Sequence, residues 1–376
     1  MFLEQISADI ILFFILYGIT GVVPFIAAVY LLLRRGNAFA PDITPPLRLR
    51  CWATAFFTVS FFGHLWWLLF YIYSFDIHSV GYVVIVVLDC LMLLTTIAGT
   101  LLAMLQDRKR SVWPAIVAMI PFFVLGVLQI FYPDAPFMNI ATVYLLTLYI
   151  LFSVYMVFSV RQYGRWLNDN YADLENKKVW LTQVISLACL FLFILYSLVD
   201  TNNILLYFLH VVELVLFGLL LWRVETLPQL DSILVEQENC PPAPETSQDS
   251  NTPAQAQLPL TIASNIEQQL TLHCVNTQLY LQHDLTLQQL AKAVRTNRTY
   301  LSLYFSSHNT TYNAYINDLR INHFMNLYRE AIDTKQSATA QQLAIDSGYR
   351  SYSTFSLAFK QRMGQSVTAW MRETDK

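Results

Sequence analysis

The chain has 376 residues, 55% of them apolar and only 13% charged, with a formal net charge of −3. An average soluble domain is about 45–50% apolar and about 25% charged, so a wholly soluble protein is excluded. The excess is uneven: residues 1–223 hold nearly all the long apolar runs, while 224–376 read as soluble protein, and the net charge averages unlike parts.

A bilayer core about 30 Å thick takes roughly 20 apolar residues as helix, because in lipid each backbone polar group must pair within its own segment. Seven stretches qualify: 9–33, 52–73, 80–105, 112–132, 138–160, 179–199 and 203–222. The first has no basic residue ahead of it and is followed by Arg34 and Arg35, which suits an anchor rather than a cleavable signal. The connections then alternate. Those at 34–51, 106–111 and 161–178 carry Lys or Arg; those at 74–79, 133–137 and 200–202 carry none. The positive-inside rule then predicts a multi-pass membrane protein with its N-terminus outside and residues from 224 onward in the cytoplasm.

Four ionisable residues fall near the middle of these stretches: His64, Asp89, His210 and Glu213. A charge there costs about 2.5 kcal/mol or more and normally faces the bundle interior or a cavity. His210 and Glu213, three apart, share one helix face. The four are read as a candidate signal site for a small ligand, a proton or a metal, set against an interhelical hydrogen-bonded lock that only fixes packing. The last stretch has no Lys to carry a retinal Schiff base. The five cysteines form no C-x-x-C pair and stand beside no His cluster, so neither a disulfide framework nor a cysteine zinc site is expected.

Residues 224–260 include "EQENCPPAPETSQDSNTPAQAQLP", acidic and rich in Pro, Gln, Ser and Thr. Such a composition is expected to stay disordered. A flexible coil of this length reaches about 30–35 Å, and its charge repels the anionic inner leaflet.

From 261 onward the pattern is all helix. One helix is expected near 262–281. Thr286 and Gln289 are spaced as a capping box before Leu287, Leu290, Ala291 and Val294. The turn "RTN" leads to "RTYLSLYFSS", with Leu301, Tyr304 and Phe305 inward and Arg298, Thr299 and Ser302 outward. A long helix follows, about 312–331, with Tyr315, Ile316, Leu319, Phe324 and Leu327 as buried candidates. The arrangement then recurs. Thr339 and Gln342 suggest a second capping box, Gly348 a left-handed stop, and Ser351 a cap for "YSTFSLAFKQR". There Phe355 and Phe359 face inward, and Tyr352, Ser353, Ser356 and Lys360 outward. Helix, tight turn and a second helix with a polar N-terminal face is the geometry that lays a recognition helix in the major groove.

Residues 286–371 resemble the AraC/XylS-type DNA-binding domain. The likeness lies in "LTLQQLAKAVRTNRTYLSLYF", "AYINDLRINHFMNLY" and "TAQQLAIDSGYRSYSTFSLAFKQRMGQSVTAWM". It implies two helix-turn-helix units bridged by a long helix and reading successive major grooves. Carried over by position, Asn297, Arg298, Thr299 and Ser302 would serve the first recognition helix. Arg350, Ser351, Tyr352, Ser353 and Thr354 would serve the second, with Lys360 nearer the phosphates. Leu303 and Leu357 depart from a frequent Arg, Asn309 from a Gly and Val367 from a Pro.

The expected fold class is therefore all-α: a seven-helix transmembrane sensor-like domain (1–223), a disordered linker (224–260) and an all-helical double helix-turn-helix domain (261–376). The expected function is a membrane-tethered, sequence-specific transcription regulator and not an enzyme, with no cofactor and no metal centre. Its expected partners are double-stranded promoter DNA, the lipid bilayer and an unknown small ligand. Residues 261–376 carry eleven basic and eight acidic side chains, a modest surplus that calls for two copies on the site and so for a homodimer. The alternative is a transporter or intramembrane enzyme with an appended DNA-binding domain, for which only the four buried ionisable residues speak.

Overall fold

Long runs of Leu, Ile, Val and Phe without backbone partners in sequence can satisfy their peptide groups in lipid only as helix. The computed structural model describes residues 8–34, 45–73, 79–198, 203–230, 260–335 and 338–374, and these fold as helices and turns. They divide into two units. The first comprises Met1–Tyr163 and Val179–Cys240, the second Gly164–Lys178 and Pro241–Lys376. Most of the expected linker lies outside the described residues.

The first unit contains α1 (Ala8–Leu33), α2 (Leu47–Ile72), α3 (Val80–Ala103), α4 (Trp113–Ala118), α5 (Ile120–Phe131), most of α6 (Phe137–Asn170), α7 (Trp180–Leu198) and α8 (Asn203–Thr226). Helix α2 packs on α1, α3 and α8, and this group forms the interior. Phe56, Phe57 and Phe217 meet there with ring centroids 5.6 to 5.9 Å apart. Small residues let the helices close up: a Cβ at Gly99 would overlap the Trp52 indole, and one at Gly126 would overlap Val87. The outward faces stay apolar, with Ile15, Ile26, Leu32 and Leu33 exposed.

Six described helices are long and apolar enough to cross a membrane, and α7, over Trp180–Leu195, is apolar but shorter. The expected single helix at 112–132 is broken at Met119 into α4 and α5. Pro121 explains the break, since its ring clashes with the Val117 carbonyl and it has no N–H to donate. The 161–178 connection is helical as far as Asn170. Helix α8 likewise runs past 222 to Thr226, and the chain to Leu230 is tied down: Leu230 N–H donates to Gln106 Oε1 (2.9 Å), and Gln106 Nε2 to the Pro228 carbonyl (3.0 Å).

The second unit contains α9 (Leu260–Leu270), α10 (Leu287–Ala293), α11 (Arg298–Ser307), α12 (Tyr312–Asp333), α13 (Ala340–Asp346), α14 (Tyr352–Met363) and α15 (Val367–Thr374). The helix expected at 262–281 ends as α at Leu270, continues as one π turn (Thr271–Val275) and closes in a short 3-10 turn after the left-handed Gln278. Two cores share α12. Its N-terminal half gives Tyr312 and Ile316 to a core with Leu270, Leu287, Leu290, Leu301 and Phe305. Its C-terminal half gives Ile321, Phe324 and Tyr328 to a core with Leu343, Phe355, Phe359 and Trp370. Tyr315, Leu319 and Leu327, expected to be buried, are only half-buried.

Arg320 fills the junction. It is 1% exposed, and its Nε donates to the Tyr280 carbonyl (2.7 Å) and its Nη2 to the Gln282 carbonyl (2.7 Å). Its guanidinium stands 5.5 Å from the Tyr349 ring centre. Burial draws its pKa below the usual guanidinium value.

Caps set the helix starts. The Thr286–Gln289 box is closed in both directions (3.2 and 2.9 Å). The second box is only half made: Thr339 Oγ1 accepts from Gln342 N–H (3.2 Å), but the Gln342 amide donates instead to Asp346 (3.0 Å). Gly348 has φ +87°, and a Cβ there would stand 2.8 Å from the Leu281 backbone, so glycine is required on both counts. Asn309, at φ 52°, takes the left-handed turn expected of it.

Candidate functional site

The two helix-turn-helix units are α10–α11 and α13–α14, each entered through a polar cap. Asn297 caps α11 by accepting the Tyr300 N–H at 2.8 Å, so its side chain is already used by the backbone. Thr299 is exposed, Ser302 half-buried, and Arg298 half-buried with its Nε donating to Asn170 Oδ1 (3.0 Å). Burial lowers the Arg298 pKa from its usual value. In the second unit Ser351 caps α14 and accepts the Thr354 N–H (3.3 Å). Ser351 Oγ and Thr354 Oγ1 also donate to one carboxylate oxygen of Glu175, at 2.8 and 2.9 Å. Ser353 and Lys360 are exposed, and Arg350 is half in solvent with Asp284 at 3.4 Å. Tyr352, expected to face outward, is half-buried against Phe355.

Thus Thr299 and Lys360 project into solvent and Ser353 is exposed with its Oγ 3.0 Å from Ser351 Oγ, whereas Arg298, Ser351 and Thr354 are held by Asn170 and Glu175. Sequence reasoning did not single out that segment, because neither residue lies in a periodic pattern or motif. It also passed over Tyr300, which is 41% exposed beside the buried Leu301. Leu357 is exposed on α14 and can offer an apolar contact to a thymine methyl.

In the first unit three of the four ionisable span residues converge. One donor atom each from His64, His210 and Glu213 lies within 4.8 Å of the others. His64 Nε2 is 3.5 Å, and His210 Nδ1 3.7 Å, from Glu213 Oε2. His64 Nδ1 is 2.8 Å from the Ser60 carbonyl, and His210 Nδ1 is 3.3 Å from Thr20 Oγ1. Helix α1 contributes Tyr17, whose hydroxyl donates to the His64 carbonyl (2.6 Å) and whose ring lies against both imidazoles. Asp89 stands beside this group. Its Oδ2 accepts from Trp67 Nε1 at 3.3 Å, while its Oδ1 and His210 Nε2 are buried with no hydrogen-bond partner among the described residues. Tyr17, Thr20 and Trp67 escaped sequence reasoning because aromatic and hydroxyl residues are common in apolar spans. A separate cavity of about 440 Å³ opens between α3, α4, α6 and α7, lined by apolar side chains such as Leu94, Leu148 and Phe152.

Residues 290–373 match the family model described as a helix-turn-helix domain, which runs from within α10 through α14. No curated protein and no solved structure gives a significant match to the chain. The C-terminal part of the chain is therefore similar to a helix-turn-helix domain, a kind of fold used in DNA binding, and among the described residues six helices long and apolar enough to cross a membrane precede it.

Proposed function

We propose that this protein is a membrane-tethered, sequence-specific transcription regulator whose membrane bundle senses a small or membrane-borne signal. The observation that carries the reading is the presence, in one chain, of two capped helix-turn-helix units around a shared α12 and, among the described residues, of six long apolar helices. The alternating basic connections favour an orientation with the DNA-binding domain in the cytoplasm. In this reading Thr299, Ser353 and Arg350 meet base edges and Lys360 meets phosphate, which their exposure supports. The His64–His210–Glu213 group, with Asp89 beside it, is the proposed signal site. The same four residues are all that favours the transporter or enzyme reading.

A reporter fused after position 376 is expected to be active only as a cytoplasmic reporter; a periplasmic result refutes the proposal. In cells, mapping of chromosomal sites crosslinked to the chain should return a small set of promoters bound by wild type and not by an Arg298→Ala/Arg350→Ala variant. Glu213→Gln should alter promoter output without abolishing promoter binding.

A further inference from the structure

We propose that the buried cluster of His64, His210 and Glu213 is a binding site for one divalent transition cation of the zinc class. The inference rests on the reading of this cluster as the signal site and names its ligand. Two imidazoles and one carboxylate are a donor set that zinc accepts, with a fourth position left open. Edges of a zinc tetrahedron are about 3.3 Å given bonds of about 2.0–2.1 Å. The 3.5 and 3.7 Å spacings to Glu213 Oε2 are therefore within a small side-chain adjustment of that figure.

Local chemistry points the same way. A hydrogen bond from His64 Nδ1–H to the Ser60 carbonyl is the outer contact that fixes a metal-binding imidazole, and it leaves the Nε2 lone pair facing Glu213. Lone pairs facing one another across 3.5 Å are relieved by a proton or by a metal ion between them, and only the metal ion also engages the His210 Nδ1 lone pair at the same time. No Lys or Arg lies within two helical turns of these residues on α1, α2, α3 or α8, so the two imidazoles are the basic groups these helices bring to the carboxylates of Glu213 and Asp89. A 2+ ion balances both. Imidazole ligands favour zinc, cobalt or nickel over magnesium or calcium.

The test uses the full chain in detergent, stripped with chelator and dialysed against Zn²⁺, with bound metal counted per chain. Wild type and a form with all five cysteines changed to Ser are expected to bind one ion. His64→Ala, His210→Ala and Glu213→Gln should each weaken binding about tenfold or more. Glu213→Gln keeps the shape of the side chain, and Co²⁺ absorption of the wild-type chain gives a second readout that needs no variant. Equal binding by wild type and Glu213→Gln, or a cobalt spectrum that vanishes in the cysteine-free form, overturns the proposal. Promoter output is scored in parallel. A bound ion with output indifferent to chelator refutes the sensing reading alone. Output altered by these variants without any bound ion refutes the metal assignment alone.

Different contacts, all inside the second unit, carry a second inference. We infer that the segment Gly164–Lys178 holds the DNA-contacting ends of both recognition helices and competes with DNA for them. Glu175 places a carboxylate oxygen on Ser351 and Thr354 at the N-terminus of α14, where a phosphate oxygen would accept the same two hydroxyl donors. Asn170 holds Arg298 at the start of α11. The segment is anchored by the Asn313 side chain, which donates to the Tyr171 and Ala172 carbonyls (3.1 and 2.7 Å), and by Ala172 in the first core. This stretch joins α6 to α7 in the sequence.

The full chain in lipid nanodiscs is titrated with a promoter fragment recovered by the mapping above. Asn170→Ala/Glu175→Ala is expected to bind about tenfold tighter than wild type, and Glu175→Gln to fall between. Unchanged or weaker binding by both variants overturns the inference. Absence of sequence-preferring binding by wild type and variants alike overturns the DNA reading on which it rests.

Discussion

Arg320 shows how a single residue can belong to the architecture when its charge suggests the ligand. It lies in a stretch that resembles a DNA-binding family, yet its guanidinium is buried and spent on the carbonyls that close the loop before α10. Arg320→Ala should leave those carbonyls unpaired and cost about 3 kcal/mol, read as faster hydrogen exchange across α12. Arg320→Lys should rescue little, because one ammonium cannot replace a planar fork. Cys274 is a second case. It is fully buried, and burial pushes its thiol up to about 11, so at neutral pH it stays protonated and out of reach. Alkylation should modify it only after unfolding. Neither residue's role was visible in the string, since burial of a polar side chain depends on what folds over it.

Among the elements, the caps make the two helix-turn-helix units comparable and also distinguish them. The Thr286 box is reciprocal and the Thr339 box is not, because Gln342 turns to Asp346. Thr286→Ala should therefore destabilise the second unit by about 1 kcal/mol and Thr339→Ala by less, as read from thermal unfolding monitored on that unit. The pattern of apolar residues marked α10, α11, α13 and α14 correctly, and it marked Gly348 as a left-handed stop. It missed the π turn and the left-handed Gln278 that cut short the first helix, and the break Pro121 introduces between α4 and α5. Apolar periodicity runs straight through such points.

Across the whole molecule, a regulator of the proposed kind holds its promoter at the membrane. Promoter DNA crosslinked in cells should sediment with membrane vesicles, and this association should be lost in the Arg298→Ala/Arg350→Ala variant. The net surplus of basic over acidic residues in 261–376 is small, so binding should weaken only gradually with salt and should require two copies on the site. A footprint covering only one copy would contradict that.

The sequence by itself determined the all-helical class, the apolar runs and the two helix-turn-helix units. These follow from local periodicity, capping residues and composition, which act over a few turns of chain. Tertiary structure alone decided that His64, from α2, meets His210 and Glu213, from α8, and that Asn170 and Glu175 sit on the ends of the recognition helices. Those pairings join residues more than a hundred positions apart, and no local pattern encodes which face of one helix will close against another.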